Sequence, residues 1–451
     1  MIGMQLSGAA AAIGADFCGH DAWFEGVSTD TRTLVNGELF CALAGPNFDG
    51  HDHCAVAEKK GASGLIIDRT VDTHLPALTV DDTRRALGRL AREWRQQFTL
   101  PVVGVTGSSG KTTVKEMIAA ILRVNATVLA TQGNLNNDIG VPQTLFRLDA
   151  RHDYAVVEMG ANHLGEIEWL AEIAKPLVGV ITLCAASHLE GFGSVEMVAR
   201  AKGELYTGLL ANGVAVLNAD DNFAAYWSDV ARGRRILRFG LKNPADVSAE
   251  KLSNRGVGKG MSFTLRLPSS SVDIDLPFDG VHNVSNALAA AAAASALDVE
   301  PDTIKRGLES ARKIGGRLCV RGGLRGSRII DDTYNANPTS LAAAVDVLAS
   351  VEGRKWVVLG DMGELGPGTV ELHQAAGANA RAAGVDRLYT FGALAEKAAS
   401  AFGEGAGNYS TIDELIAALG SDLDADVTVL VKGSRTMKME RVIDALAEAQ
   451  P

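Results

Sequence analysis

The sequence predicts an α/β protein built as three units, with parallel sheets covered by helices on both faces. Three observations carry that prediction. From Pro101 onward, short β-branched runs alternate with helical stretches, joined through glycine-rich turns. The chain has 451 residues, which corresponds to roughly three domains at ~150 residues each. Its 49 glycines suit many tight strand-to-helix turns.

Composition narrows the function classes. The chain is 47% hydrophobic and 22% charged, an ordinary globular balance that excludes disordered and fibrous classes. Lys and Arg number 43 against 54 Asp and Glu, a net charge of −11 that argues against a nucleic-acid partner. Any phosphate site must then be local, built against the global field. Cys18, Cys41, Cys54, Cys184 and Cys319 are odd in number and scattered, without a CxxC pair. That speaks against a disulfide framework or zinc ribbon and for a reducing cytoplasm. The first basic residue is Arg32, so the N-terminal stretch lacks the charged start of a signal peptide. The longest apolar runs, near 176–187 and 287–297, are shorter than the ~20 residues of a membrane span.

Taken in order, residues 1–80 read as short strands and loops: 38–43 alternates, 64–67 is a buried strand and 78–80 another. Residues 81–98 form an amphipathic helix with Leu87, Leu90, Trp94 and Phe98 on one face. The strand at 102–106 leads into a helix over 112–123 with Val114, Ile118 and Ile121 as its core stripe. Further strands fall at 154–157, 177–183 and 214–217, and a helix lies near 195–210. Residues 245–279 alternate with period two and predict antiparallel hairpins, followed by an Ala-rich helix over 286–297. Gly315-Gly316 reads as a hinge. The last unit repeats the α/β rhythm, with strands at 328–330, 356–359, 387–391 and 427–431 and a helix from near Ser340. Expected domains are 1–80, 81–314 and 315–451.

The strongest chemical signal is Thr106-Gly107-Ser108-Ser109-Gly110-Lys111-Thr112-Thr113, at the end of a buried strand and the start of a helix. Successive backbone N–H groups in such a loop, added to the helix N-terminal dipole, cradle a phosphate chain. Lys111 would reach the β/γ-phosphates and Thr112 would hold Mg²⁺. The strict GxxxxGK[ST] pattern wants glycine where this chain has Val105. The bland alternative is a plain glycine-rich turn, but strand, loop, Lys-Thr and helix together favour a nucleoside triphosphate.

Other candidates sit at strand ends, the edge that carries ligands in parallel sheets. Glu158 ends the 154–157 strand and suits a divalent cation, or is merely solvated. His188 follows the next strand and could join that metal set, although an isolated histidine is more often structural. Asn283 and Asn286 share a helix face, where they could read a purine edge or serve as an N-cap. The segments 331–338, 359–366 (with Asp361) and 432–435 read as site-facing loops of the third unit. Lys202 lies on a helix, where lysine is usually solvent-facing, and nothing in the residue pattern singles it out.

These segments resemble the Mur ligase family, ATP-dependent amide-bond-forming enzymes of peptidoglycan precursor synthesis. The loop 106–113 is similar to that family's TGxxGKTT form, which also lacks the outer Walker glycine. Gly133-Asn-Leu-Asn-Asn-Asp-Ile-Gly140, Glu158-Met-Gly-Ala-Asn162, His188-Leu-Glu-Gly-Phe-Gly193, Ala201-Lys-Gly-Glu204, Asp332-Thr-Tyr-Asn-Ala-Asn-Pro338 and Gly360-Asp-Met-Gly-Glu-Leu-Gly366 continue the match along essentially the whole chain. Cys184 and its neighbours stand where the family usually has an Asn-containing run. Ser28-Thr-Asp-Thr-Arg32 and the segment from Phe40 to His51 resemble the UDP-sugar domain of the tripeptide-handling members.

The resemblance implies a small N-terminal α/β domain, a central parallel-sheet P-loop ATPase-like domain and a C-terminal Rossmann-like domain that closes over the site. It implies UDP-N-acetylmuramoyl-tripeptide and D-alanyl-D-alanine as substrates, with ATP and Mg²⁺. Thr29, Asp30, Thr31 and Arg32 would lie near the uridine diphosphate, and Asn134, Asn136, Asn137 and Asn335 near the substrates. Gly107 to Thr113, Asn283, Asn286, Arg317, Asp332, Tyr334 and Asn337 would meet ATP. Lys111, Glu158, His188 and Lys202 would be catalytic, with Thr112, Glu158, His188 and a carbamylated (N-carboxylated) Lys202 as the metal set. A monomer is expected. A folylpolyglutamate synthase-like ligase, a P-loop switch and a non-catalytic UDP-sugar-binding regulator are the rival readings.

Overall fold

The structure is a computed structural model and describes residues 1–448. Its first unit holds a five-stranded sheet in the order Asp16–Cys18, Ala77–Thr79, Gly64–Ile67, Leu39–Cys41, Val27–Ser28, parallel except for the first pair. The expected strands are present. Reading this unit as strands and loops alone missed two helices, Leu6–Ile13 and Cys54–Lys59. Leu6, Ala9, Ala10 and Ile13 are the buried residues of the first, a helical i, i+3, i+4, i+7 spacing that the surrounding small residues disguise.

The expected amphipathic helix runs Thr83–Gln96, capped by the Asp82 carboxylate, which accepts from the Arg85 N–H at 2.9 Å. Its buried Leu87, Leu90 and Trp94 share one core with Ile2, Leu6 and Ile13 on one side and Val141, Leu145 and Ile167 on the other. Apolar burial therefore joins the first unit continuously to the second.

The second unit is built on a six-stranded parallel sheet in the order Val128–Ala130, Tyr154–Glu158, Val102–Thr106, Val178–Ile181, Val214–Asn218, Arg235–Phe239. The inner strands are buried apolar runs, as sheets covered on both faces require. The two edge strands are short or broken by arginine and carried no clear signal. The period-two region forms antiparallel strands Ser248–Asn254, Met261–Leu267 and Ser270–Leu276. The Ala-rich helix, Val281–Ser295, begins five residues earlier than the pattern suggested and buries alanines on nearly every face. Small side chains let it lie close to the helix Lys111–Arg123.

The third unit has a six-stranded sheet in the order Cys319–Gly322, Arg328–Asp332, Val427–Lys432, Arg354–Gly360, Arg387–Phe391, Ala406–Tyr409. All pairs are parallel except the first. Parallel strands put the loops after Thr106, Glu158, Ile181, Asp332, Gly360 and Lys432 at the C-terminal edges of the two large sheets.

Gly307, on the helix Pro301–Ser310, marks the tightest packing behind the phosphate loop. A Cβ there would stand 2.2 Å from the Ile121 Cα, a backbone atom that cannot swing away. Alanine favours helix by up to ~1 kcal/mol, yet overpacking costs about 1–3 kcal/mol. Gly307→Ala is therefore expected to destabilise the protein, read as a lower urea midpoint of the central unit.

Candidate active site

The phosphate loop is shaped by the sheet beneath it. Val105 pairs with Glu158 on one side and Val180 on the other, mid-sheet, where a β-branched residue fits and a glycine would weaken the strand. The turn begins two residues later, at Gly107. Its φ is +146°, and a Cβ would fall 1.9 Å from the Thr182 hydroxyl oxygen. Gly110, with φ +82°, caps the helix Lys111–Arg123, and its Cβ would sit 2.5 Å from the Asn286 amide oxygen. Only glycine satisfies both positions.

The segment after the Val178–Ile181 strand fastens the loop. The Thr182 hydroxyl donates to the Ser109 carbonyl at 2.6 Å, the Ser108 N–H to the Leu183 carbonyl at 2.9 Å, and the Ser108 hydroxyl to the Ala185 carbonyl at 3.0 Å. Lys111 Nζ folds back to donate to the Gly107 carbonyl at 2.7 Å. Burial pushes the Lys111 pKa down, opposed by the Glu158 charge and reinforced by Arg317. The hydroxyl-bearing Thr112 and Thr113 are buried in the first helical turn, where N–H groups lack intrahelical partners.

Glu158 is 2% exposed. Its N–H donates to the Thr131 hydroxyl and its Oε1 accepts from the Asn136 amide at 2.9 Å, while Oε2 is buried without a partner. A buried carboxylate oxygen left open this way calls for a cation. Among the described residues no group of three or more His, Cys, Asp or Glu side chains is arranged to hold a metal ion. A metal at Glu158 would therefore need other donors, such as the Thr112 hydroxyl.

Lys202 corrects the expectation of a solvent-facing helical lysine: it is 1% exposed on the helix Val195–Thr207. Val198, Ala199, Leu205 and Tyr206 lie three or four residues away on the same buried face, a spacing the sequence did show. Burial, then the Lys111 charge, brings its pKa down to about 7. Its Nζ lies 5.5 Å from the Phe192 ring centre. Cys184 donates its N–H to Asp221 at 2.7 Å. His188 has φ +52° and its Nδ1 lies 2.5 Å from Glu364 Oε2. Burial and the charges of Lys111 and Lys202 lower its pKa, against the opposing pull of Glu364.

The third unit reaches the same place. Arg317 donates to the Thr112 hydroxyl at 2.8 Å and lies 4.2 Å over the Tyr334 ring. Asn337 caps the helix Pro338–Ala349 and also donates to the Ser109 hydroxyl at 3.1 Å. Asp332 is bound by buried Lys432, which also donates to the Asn335 carbonyl at 2.8 Å. Burial raises the Asp332 carboxyl and the Lys432 charge lowers it. Asp361, expected to face the site, instead accepts the Leu394 and Ala395 N–H groups at the start of a neighbouring helix.

Asn283 and Asn286 are bonded inward, the first to the Asp279 carbonyl and the second to Asn283, with the Asn286 oxygen over Gly110. The N-cap of their helix is Gly280, not asparagine. Asn134 is exposed, and Asn137 caps the start of the helix Gly140–Leu145 through bonds to the Ile139 and Gly140 N–H groups. Asp30 and Arg32 pair at the surface at 2.7 Å with Thr31 between them, and Arg32 holds the Asp30 carboxyl at about 2. Thr29 accepts from Gln143 at 2.9 Å, and Arg84 pairs with Asp138 at 3.2 Å. Thr182 was not singled out from sequence, because it reads as part of an apolar strand.

Thr182→Val keeps the side-chain volume but leaves the Ser109 carbonyl without its buried donor, a loss worth ~1–3 kcal/mol. Calorimetric titration with ADP is expected to show affinity weakened about tenfold (~1.4 kcal/mol).

Family models match three successive stretches of the chain. The Mur ligase family, catalytic domain, matches residues 24–95; the Mur ligase middle domain matches 105–294; the Mur ligase, glutamate ligase domain, matches 316–435. The UDP-N-acetylmuramoyl-tripeptide–D-alanyl-D-alanine ligase of Escherichia coli (strain K12) is 44% identical over 450 residues, 99% of each chain. A crystal structure of MurF from Acinetobacter baumannii superposes with a TM-score of 0.94 at 36% identity, covering 98% of both chains. MurF ligase from Thermotoga maritima in complex with ADP gives 0.83 at 29% identity, covering 93% of this chain and 96% of the other. With relatives this similar along its full length, the chain belongs to the Mur ligase family.

Proposed function

We propose that the chain is an ATP-dependent ligase joining D-alanyl-D-alanine to UDP-N-acetylmuramoyl-tripeptide, giving the pentapeptide, ADP and phosphate for peptidoglycan precursor synthesis. The observation that carries this reading is the phosphate loop fastened to the third unit by Arg317–Thr112 and Asn337–Ser109. A site closed by a second domain suits a reaction whose intermediate must be kept from water. The relatives' shared name supplies the substrate pair.

Condensing a carboxylate with an amine is uphill in water, so the acid is activated first. The terminal carboxylate of the tripeptide attacks the γ-phosphorus of ATP, the bond to ADP breaks, and an acyl phosphate forms. The dipeptide amine, as the free base, then attacks the acyl carbon, the tetrahedral intermediate loses a nitrogen proton to the departing phosphate and collapses, and phosphate leaves with the oxygen it received from the carboxylate. Both reactants of the first step are anionic, so cations carry much of the stabilisation. The loop N–H groups and Lys111 bind and orient the phosphates, and Arg317 steadies Thr112 from the other side. Asn337 and Tyr334 position the nucleotide, with Asp332 held in place by Lys432.

The open Glu158 oxygen suits a divalent cation; Thr112, His188 and a carbamylated Lys202 would complete the Mg²⁺ set, and the ion would offset phosphate charge when bound. A lysine buried at a pKa of about 7 keeps a large neutral fraction able to take up dissolved CO₂ as a carbamate. Asp30, Thr31 and Arg32 would bind the uridine diphosphate. Thr29, which is bonded to Gln143, and the Asn134–Asn137 stretch, whose Asn136 is bonded to Glu158, would hold the sugar-peptide together with Asn335. We expect a monomer, and no helix among the described residues is long and apolar enough to cross a membrane. The proposed substrates and the unpaired cysteines fit the cytoplasm.

Incubation with ATP, UDP-N-acetylmuramoyl-tripeptide and D-alanyl-D-alanine, followed by mass spectrometry, is expected to show the pentapeptide and ADP. ATP hydrolysis without an amide product, or ligation of glutamate to a folate instead, would overturn the reading. Lys111→Ala is expected to lower kcat/KM at least about a hundredfold. With ¹³C-bicarbonate, a carbamate carbon signal is expected in the wild type and absent in Lys202→Ala; its absence from both would remove the carbamate.

A further inference from the structure

Eight non-glycine residues among those described adopt positive φ, and two of them face each other across the boundary of the second and third units. His188 (φ +52°) and Glu364 (φ +61°) meet at 2.5 Å, and the Glu190 N–H donates to the Glu364 carbonyl at 3.4 Å. Left-handed backbone in non-glycine residues is strained and persists where the surroundings enforce it. Residues strained in this way cluster at active sites and ligand clamps.

We propose that Glu364 binds the ammonium group of the incoming dipeptide and holds it beside the acyl phosphate, an inference that rests on the ligase reading above. The side chain of Glu364 is 60% exposed, and among the described residues no lysine or arginine pairs with its carboxylate. It sits on the loop after the Arg354–Gly360 strand, the ligand-bearing edge of the third unit. The cations around His188 are Lys111 and Lys202, with Arg317 beside Lys111. That group attracts phosphates and repels an ammonium ion. Glu158 is buried at the floor and bonded to Asn136, so it does not face an entering amine. Glu364 supplies negative charge at the rim, delivered by the unit that closes. Its contact with His188 would set the amine near the reacting carbon, and the two other substrates gain nothing from it.

The test is Glu364→Gln in the full chain, a change at an exposed side chain that leaves the fold intact. The KM for D-alanyl-D-alanine is expected to rise about tenfold or more, with those for ATP and UDP-N-acetylmuramoyl-tripeptide changed less than about twofold. Hydroxylamine trapping of the acyl phosphate without dipeptide is expected to match the wild type. Propionyl-D-alanine, which lacks the amine, is expected to inhibit variant and wild type equally, and Glu364→Asp to recover part of the dipeptide KM. An unchanged dipeptide KM overturns the assignment, as does an equal loss in acyl phosphate trapping, which would mean that Glu364 only latches the domains. A wild type that makes no pentapeptide would instead bring down the ligase reading itself.

Discussion

The close approach of Gly107 to Thr182 sets the rest of the site. With no room for a Cβ there, the chain turns sharply out of the central strand at Gly107, and the Ser108 N–H that follows is bonded to the Leu183 carbonyl. Thr182, Leu183 and Ala185 then hold the loop by bonds to Ser109 and Ser108, so its shape is fixed before any ligand arrives. Preorganised donors lose little on reorganising around a charged ligand, which makes a rigid loop the foundation of electrostatic catalysis.

On a chain of net charge −11, this is a local inversion of sign. Lys111, Lys202 and Arg317 lie close enough for their charges to act on one another, and burial lowers the pKa of both lysines. Crowded cations of this kind become favourable once phosphates and carboxylates enter. The third unit touches the second through polar groups: Arg317 on Thr112 and Asn337 on Ser109 at the loop, and Glu364 on His188 beside it. Contacts of that type exchange readily with water and substrate, so closure is tied to what occupies the cleft.

The sheets were legible because their strands are buried apolar runs with sharp ends; Val102–Thr106, Gly64–Ile67 and Arg387–Phe391 fall where the pattern put them. The phosphate loop was legible because its function demands glycine and lysine at fixed spacing. Edge strands such as Arg235–Phe239 and the helix Leu6–Ile13 were missed, since partial exposure and small side chains blur periodicity. Lys202 departs from the usual solvent preference of helical lysine, although Val198, Leu205 and Tyr206 share its buried face. Thr182 and the Glu364–His188 contact depend on parts of the chain brought together only by folding. Asp361 shows the converse, a strand-end carboxylate that serves a neighbouring helix instead of a ligand.

The central claim, that the cradle around Lys111 transfers a phosphoryl group to a substrate carboxylate, is tested most directly by following oxygen. Tripeptide substrate carrying ¹⁸O in its terminal carboxylate is supplied with ATP and dipeptide, and the released phosphate is weighed. The account predicts that phosphate carries an ¹⁸O from the carboxylate, in step with amide formation. Unlabelled phosphate alongside normal amide product would contradict it.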